Sequence, residues 1–153
     1  TATIIGDVSI GAESSIWFGA IVRGDVARIT IGQRCNVQDG AIIHGAQEQE
    51  VAIGNGVTMG HGSIVHAATI ADNVMIATRA TVLDKAFIGQ NSIIGAGAIV
   101  TPGTVIPPNS LVLGVPGKVV STVTPEQAER IVRTAARYVQ IARAHRKAEQ
   151  ARR

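Results

Sequence analysis

Three of the four histidines in this 153-residue chain lie within 23 consecutive positions, at His44, His61 and His66. Neutral imidazole is the commonest metal ligand in proteins. Three imidazoles around an ion with one open coordination position are typical of catalytic zinc sites rather than structural ones. The fourth histidine, His145, lies in a basic C-terminal segment and is expected on the surface. The spacing alone leaves two interpretations open: a three-histidine metal site, or histidines that only form surface hydrogen bonds.

Aliphatic residues recur at every sixth position over most of the chain, which indicates a β-solenoid. Each hexad supplies one short strand and one turn, so three hexads close a triangular coil of about 18 residues. The low aromatic content of 3% agrees with a narrow core of stacked aliphatic side chains. The residues that follow the period are Ile4, Ile10, Ile16, Val22, Ile31, Val37, Ile43, Ile53, Met59, Val65, Ile70, Ile76, Val82, Ile88, Ile94, Val100, Ile106 and Val112. We therefore predict an all-β fold, a parallel β-helix of hexapeptide repeats over residues 1–123.

The phase of the repeat determines which histidines can share an ion. His44 and His66 each follow an inward aliphatic residue, three repeats apart, so they are predicted to stack in neighbouring coils. Strands in successive coils lie about 4.8 Å apart, close enough for two imidazoles to grip one metal. His61 lies on the preceding face and is not expected to reach the same ion within one chain. A third ligand would then be His61 of a neighbouring chain, and a cyclic trimer would build three such sites.

The six-residue period breaks three times, and two of the breaks flank histidines. It gains three residues within 22–31, gains four within 43–53 and loses one within 65–70. The second interruption, residues 45–50, is polar. Insertions in solenoids usually map to loops, often on the binding face. We therefore expect the two insertions to protrude as loops.

The C-terminal segment, residues 124–153, changes to a helical period. Thr124, Pro125 and Gln127 read as an N-cap, a proline at the first helical position and a capping-box partner. An apolar face then follows, formed by Ile131, Ala135, Tyr138, Val139 and Ala142. The predicted helix packs either along the β-helix or onto a neighbouring subunit. Its last few residues are expected to fray.

Charge and composition exclude several classes of function. Residues 124–153 contain eight basic and three acidic residues, so this segment has a net charge of +5. Because the whole chain has a net charge of +3, residues 1–123 have a net charge of −2. Without aromatic interleaving or a binding motif, a solvated helix face is favoured over a nucleic-acid surface.

Cys35 is the only cysteine, so no intrachain disulfide is possible. No apolar run has the length of a membrane span, and no signal peptide is evident, which favours a cytoplasmic protein without a membrane partner. Because Thr1 lies inside a repeat, we expect further residues before it.

A set of motifs in fixed order makes the chain resemble the γ-class carbonic anhydrases, in particular their short-loop bacterial and archaeal members. The similarity spans essentially the whole chain. The motifs that carry it are Arg23-Gly24-Asp25, Asn36-Val37-Gln38-Asp39-Gly40, His44, Gly60-His61-Gly62-Ser63-Ile64-Val65-His66, Gly95-Ala96-Gly97-Ala98 and Leu113-Gly114-Val115-Pro116, followed by a helix with Tyr138. The resemblance implies a left-handed β-helix, a homotrimer, and reversible hydration of CO2 to bicarbonate (a carbonate dehydratase).

The resemblance also implies a role for three of the four histidines. His44 and His66 would be metal ligands from one subunit and His61 the ligand from the next. Zn²⁺ suits three imidazoles and a water, and Fe²⁺ or Co²⁺ would fit the same ligands. In this family a bound metal lowers the pKa of its water to about 7.

Six further residues acquire roles by the same resemblance. Arg23 and Asp25 would form an intersubunit salt-bridge network with Asp39 that orders the site. Gln38 would hydrogen-bond the metal-bound water or bicarbonate, with Asn36 nearby, and Tyr138 would approach the site from the helix. Plainer interpretations are a surface ion pair for Arg23 and Asp25, corner residues for Asn36 and Asp39, a solvated Gln38 and a packing role for Tyr138.

The chain departs from the most active members of the family at several positions. Val26 and Gln47 stand where those members have glutamate, so proton transfer is expected to be weak. In Ala77-Thr78-Arg79, a long cation replaces a small residue at a coil turn. Two alternatives therefore stay open: a metal-binding scaffold with little or no turnover, and a CoA-dependent hexapeptide acyltransferase. The acyltransferase alternative is suggested by the Gly-Val-Pro-Gly-Lys stretch that ends at Lys118.

Overall fold

The computed structural model describes residues 1–151 and contains a left-handed parallel β-helix of about six turns with one C-terminal helix, as predicted. The strands are β1 Thr3–Ile10, β2 Ser15–Ile16, β3 Ile21–Ile31, β4 Asn36–Val37, β5 Ile42–His44, β6 Val51–Ile53, β7 Thr58–Met59, β8 Ile64–His66, β9 Thr69–Ile70, β10 Met75–Ile76, β11 Thr81–Val82, β12 Phe87–Ile88, β13 Ile93–Ile94, β14 Ile99–Val100, β15 Val105–Ile106, β16 Ser110–Leu113 and β17 Lys118–Thr122. The helix is α1, Pro125–Gln150.

The strands form the three faces of a triangular prism. Face 1 contains the first halves of β1 and β3, followed by β5, β8, β11 and β14. Face 2 contains the second halves of β1 and β3, followed by β6, β9, β12 and β15. Face 3 contains β2, β4, β7, β10, β13 and β16, with β17 added antiparallel at the end. Corner A joins face 3 to face 1, corner B joins face 1 to face 2, and corner C joins face 2 to face 3.

The aliphatic residues of the six-residue period form the core of the prism. From Val22 to Val112 every one of them is buried, so the predicted core is confirmed over that range. Ile4 and Ile10 are exceptions, with 45% and 38% of their surface exposed. Both lie in β1, which pairs only with β3, so no coil described here covers its other side. Inward packing therefore needs a neighbouring coil on both sides.

All three breaks of the period fall at corner B. The first insertion is not a loop, contrary to expectation, because residues 25–28 continue the extended backbone of β3 across the corner. The second forms a tight reversal in which Ala46 bridges Gln49. The two insertions touch, since a Cβ added to Gly45 would lie 2.8 Å from the Cβ of Ala27. Corner B is thus built from two stacked insertions on one side of the site residues.

Helix α1 lies along face 3 of its own chain, where it contacts β2, β4 and β7, in line with the first of the two predicted placements. Thr124 accepts a hydrogen bond from the Gln127 backbone while Gln127 caps the Thr124 backbone, so the predicted capping box is confirmed. Ile131, Ala135 and Val139 are buried against the strands. The predicted helical range ends at residue 153, and residues 152–153, which include part of the predicted frayed end, lie outside the described residues.

No helix within residues 1–151 is long and apolar enough to cross a membrane. Cys35 is a buried free thiol whose sulfur donates to the carbonyl oxygen of Gly54 at 3.0 Å. Burial raises the pKa of this thiol above its ordinary value.

Candidate metal centre

His44 and His66 lie side by side at corner B, in successive coils. Each ends a face 1 strand directly after a buried aliphatic residue, and the two are paired across β5 and β8. Nδ1 of His44 lies 3.3 Å from Nε2 of His66, which confirms the predicted stacking. Two ligands of a tetrahedral ion with metal–nitrogen bonds of about 2.0–2.1 Å would be about 3.3 Å apart. The spacing of the two nitrogens therefore fits a shared metal.

A carboxylate contacts the other nitrogen of each ring. Asp25 Oδ1 lies 3.2 Å from Nε2 of His44. Asp84 Oδ2 lies 3.1 Å from Nδ1 of His66. An ionised carboxylate can only accept, so in a neutral ring these contacts place the single ring proton on Nε2 of His44 and on Nδ1 of His66. The two nitrogens left with lone pairs are the two that face each other, and carboxylate–histidine pairs of this kind orient metal ligands.

Both carboxylates are ionised at neutral pH. The hydrogen bond from Arg23 Nη1, 2.7 Å from Asp25 Oδ2, holds the pKa of Asp25 below its ordinary value. Partial burial raises the pKa of Asp84, but the hydrogen bond from His66 and the positive charge of Lys85 outweigh it, so the pKa is lowered. Both groups can therefore act as acceptors toward the histidines over the neutral range.

His61 lies away from this pair, at corner A. Its Nδ1 is 3.0 Å from Asp39 Oδ2, and 55% of its side chain is exposed. Within residues 1–151 of a single chain, no group of three His, Cys, Asp or Glu side chains comes together to hold a metal. The prediction that one chain does not unite all three histidines is therefore confirmed. Like the rings at corner B, the His61 ring has one nitrogen next to a carboxylate, which leaves Nε2 available.

The predicted salt-bridge network is divided between the two corners of one chain. Arg23 pairs with Asp25 at corner B, while Asp39 contacts His61 at corner A. The predicted link from Asp39 to Arg23 across a subunit boundary stays a prediction. Asp84, which sequence reasoning missed, occupies the second position after a core residue, the same position that His61 and Asp39 occupy in their hexads. The repeat could therefore have identified it.

Gln38 and Asn36 form a buried polar chain on face 3. Gln38 Nε2 donates to Asn36 Oδ1 at 2.9 Å, and Asn36 Nδ2 donates to Thr58 Oγ1 at 2.9 Å. Both side chains are at least 95% buried, so the solvated interpretation of Gln38 is wrong. Because the two amides fix each other, the orientation of Gln38 is set before any ligand binds.

Tyr138 lies over a groove of about 240 Å³ between α1 and face 3, and Gln38 and Thr58 line the same groove. Its ring packs edge-on against Trp17, with centroids 5.6 Å apart. Burial, and then the negative charge of Asp39, raise the pKa of Tyr138 above its ordinary value. His145 is exposed, as predicted, but its ring also packs against Trp17 at 5.3 Å. Tyr138 therefore belongs to the His61 side of the molecule.

Two curated relatives are similar to the chain over most of their length. A protein of Methanocaldococcus jannaschii named "Probable carbonic anhydrase" is 48% identical over 140 residues, which are 92% of this chain and 88% of the relative. A carbonic anhydrase of Geobacillus kaustophilus is 43% identical over 138 residues, or 90% of this chain and 76% of the relative. The chain belongs to the γ-class carbonic anhydrase family. No protein-family model matches it.

Solved structures that resemble this γ-class chain bear transferase names. A Bacillus cereus structure named "putative acetyltransferase" is 39% identical, with a TM-score of 0.94 over 95% of this chain and 85% of that one. A hexapeptide transferase family protein from Anaplasma phagocytophilum is 34% identical, with a TM-score of 0.89 over 94% and 89% of the two chains. The γ-class fold is therefore shared by proteins named for two different activities, and the site residues have to distinguish between them.

Proposed function

We propose that this protein is a homotrimeric, metal-dependent carbonic anhydrase with one metal site at each subunit interface. His44 and His66 of one subunit and His61 of the partner subunit would hold a divalent ion. The observation that carries the proposal is the pair of ring nitrogens His44 Nδ1 and His66 Nε2, which face each other at 3.3 Å while a carboxylate contacts the other nitrogen of each ring. When both rings are neutral in the tautomers that the carboxylates favour, two lone pairs face each other and repel unless a proton or a metal ion lies between them, which favours metal binding.

The pitch of the β-helix supports the assignment of His61 as the third ligand. Each coil of about 18 residues rises by about 4.8 Å. His61 precedes His66 by five residues, so it lies about 1 Å below His66 along the prism axis, between the levels of His44 and His66. A three-fold axis parallel to the prism leaves levels unchanged. His61 of the partner subunit would therefore reach corner B at the height where the pair needs a third ligand.

The donor set fits Zn²⁺, and Fe²⁺ or Co²⁺ would accept the same three imidazoles. When bound, such an ion lowers the pKa of a coordinated water to about 7, which supplies the nucleophile for CO2. The chain's own residues prepare the site. Asp25 and Asp84 hold the tautomers of His44 and His66.

On the opposite side of the interface, Asp39 would hold His61 in the same way. Gln38, locked by Asn36, would present a fixed amide to the substrate or product. Tyr138 keeps its proton through the neutral range because its pKa is raised, so its hydroxyl can both donate and accept a hydrogen bond.

We propose that turnover is limited by proton removal. Val26 and Gln47 cannot exchange protons with solvent, and no carboxylate replaces the missing glutamates at those two positions. The exposed residues Glu48 and Glu50 of the second insertion are the remaining acids on that segment. Slow catalysis with a normal metal site is therefore the expected behaviour, in a cytoplasmic setting where the single Cys35 stays a thiol.

The test combines the metal content of the purified protein, sedimentation equilibrium and CO2 hydration by stopped flow. We expect a trimer with about one ion per subunit and hydration above the uncatalysed rate. The His61→Ala variant should lose the metal although His61 lies outside the His44–His66 pair. A metal-free protein after reconstitution, or an ion retained by His61→Ala, would contradict the interface site.

A second candidate function is acyl transfer from CoA, which the acetyltransferase name of the similar Bacillus cereus structure favours. Acetyl-CoA titrated into the protein by calorimetry separates the two. Saturable binding of acetyl-CoA by a metal-free protein would favour the transferase, whereas metal binding without acetyl-CoA binding favours the carbonic anhydrase. A metal-loaded trimer without hydration activity would leave the metal-binding scaffold as the function.

A further inference from the structure

Arg79 is the one residue other than glycine in a series of equivalent positions that stack along the prism axis at corner A. The third position after the inward aliphatic has a positive φ in every coil there, with values of 67°, 67°, 64° and 68° at Gly19, Gly40, Gly62 and Gly97. Arg79 occupies the same position with a φ of 56°. This backbone conformation is unfavourable for a residue with a Cβ. The Arg79 side chain is exposed, and within residues 1–151 it has no salt-bridge partner.

At corner A the charge of the side chains changes from coil to coil along the prism axis, in the direction from the N-terminal to the C-terminal coil. Asp39, His61 and Arg79 follow one another in successive coils, giving a carboxylate, an imidazole and a guanidinium. Backbone hydrogen bonds fix their spacing, since the N–H of Gly62 donates to Asp39 at 2.9 Å and that of Arg79 donates to His61 at 2.9 Å. Wherever His61 binds, Arg79 therefore lies one coil above it.

Corner B carries the opposite order. Arg23 lies one coil below His44, and Asp84 lies one coil above His66. Arg79 precedes Asp84 by five residues, as His61 precedes His66, and no break of the period falls within either interval. The two pairs therefore have the same difference in level along the prism, about 1 Å. A trimer that brings His61 of the partner subunit to His66 also brings the partner's Arg79 to Asp84.

We propose that Arg79 of the partner subunit forms a salt bridge with Asp84 and so acts as a positioning residue for His66 from across the interface. This inference rests on the proposed trimeric site. Asp84 is suited to the role because its carboxylate already contacts His66 Nδ1 and its side chain is 36% exposed. The bridge gives a physical reason for a cation at a position where the neighbouring coils have glycine: Arg79 neutralises the carboxylate above the metal, as the predicted Arg23–Asp39 link does below it.

A double-mutant cycle on assembly tests the bridge. Arg79→Gln and Asp84→Asn each remove one charge, and the amide oxygen introduced by Asp84→Asn could still accept a hydrogen bond from His66. Sedimentation equilibrium at low salt should show each interface weakened about threefold in either variant, or about 30-fold in the monomer–trimer constant because three interfaces multiply. The double variant should be no weaker than the single ones, because the two charges act as a pair.

Arg34→Gln is the matched control. Arg34 also has a φ of 56° and an exposed side chain, but it lies at corner C, where it pairs with Glu13. We expect Arg34→Gln to leave assembly unchanged, and high salt to reduce the difference between wild type and Arg79→Gln. The bridge would be overturned if the effects of Arg79→Gln and Asp84→Asn on the monomer–trimer constant were fully additive. It would also be overturned if Arg79→Gln weakened assembly no more than Arg34→Gln does.

A zinc-affinity measurement by competition with a chelator provides a second readout. Arg79→Gln should weaken zinc binding several-fold through a less constrained His66, while His61→Ala should abolish it. If His61→Ala removes the metal but the cycle is additive, the interface site stands and the Arg79 bridge fails. A wild-type protein that is monomeric or binds no zinc would instead refute the proposed function itself.

Discussion

Nδ1 of His44 and Nε2 of His66 face each other at 3.3 Å across two successive coils. Each ring is held from its other nitrogen by a separate carboxylate, Asp25 for His44 and Asp84 for His66. The short distance therefore follows from the β-sheet register, and the choice of free nitrogen follows from the carboxylates. Both features exist in a single chain, so two of the three proposed ligands are preorganised before any partner binds.

The first prediction concerns Asp84. We expect Asp84→Ala to weaken zinc binding by about 10- to 100-fold, because His66 loses the contact that fixes its tautomer and orientation. Chelator competition measures the change. Asp72→Ala is the control, since Asp72 occupies the equivalent repeat position at corner C and accepts from the Asn55 backbone, away from the histidines. Equal losses of zinc affinity in the two variants would mean that Asp84 matters only for folding.

The second prediction uses subunit mixing. His61→Ala and His66→Ala should each lack metal sites, but a site is restored wherever a His61→Ala subunit supplies His44 and His66 and its neighbour supplies His61. Equal amounts of the two variants, unfolded and refolded together, should therefore recover about one quarter of the wild-type sites. The visible spectrum of bound Co²⁺ reports the recovery. If the refolded mixture binds no more Co²⁺ than either variant alone, the three histidines do not meet across subunits.

The third prediction concerns Tyr138, the single tyrosine of the chain. Its ultraviolet absorbance should titrate above the ordinary range for tyrosine, because burial and the charge of Asp39 raise its pKa. Asp39→Asn should lower the midpoint toward the value in urea-unfolded protein. The free energy from burying neutral Tyr138 is fully present below the unfolded pKa and is lost as the pH rises through the folded pKa. A midpoint equal to that of unfolded protein would refute the buried position of the ring.

The fourth prediction concerns the docking of α1. Ile131→Ala should reduce the free energy of unfolding by about 2–4 kcal/mol, because Ile131 is almost fully buried between the helix and face 3. Urea unfolding followed by the fluorescence of Trp17, the only tryptophan, measures the loss. Val132→Ala, at a position 56% exposed, should change the stability by less than about 0.5 kcal/mol. Similar losses in both variants would place the helix on a different face.

Sequence reasoning recovered the prism and the stacking of His44 on His66, because both depend only on a period of six. It was wrong about the first insertion, since residues 25–28 keep strand geometry instead of looping out, and that course brings Asp25 to His44. The repeat pattern also does not predict the exposure of Ile4, because the pattern is the same in the first coil as in coils that have a neighbour on both sides.

The sequence also did not predict the contacts that depend on how α1 docks. The packing of Trp17 against Tyr138 and His145 joins residues more than a hundred positions apart. An apolar helix face predicts that the helix binds something, but not which face of the prism it covers. The Asp84–His66 contact was within reach, since Asp84 stands at a defined position of its hexad. It was missed because carboxylates at coil corners are common and carry no distinguishing neighbour in sequence.

The confinement of every length change to corner B has a consequence for how this fold can evolve. A solenoid transmits register from coil to coil, so an added residue on a face would shift every later side chain from inside to outside. At corner B, strands on both sides of the insertions keep their pairing, as the matched registers of β3 with β5 and β6 show. Natural variation and protein engineering can therefore lengthen or shorten the segment 45–50 to supply new acids beside His44, while the rest of the molecule keeps its structure.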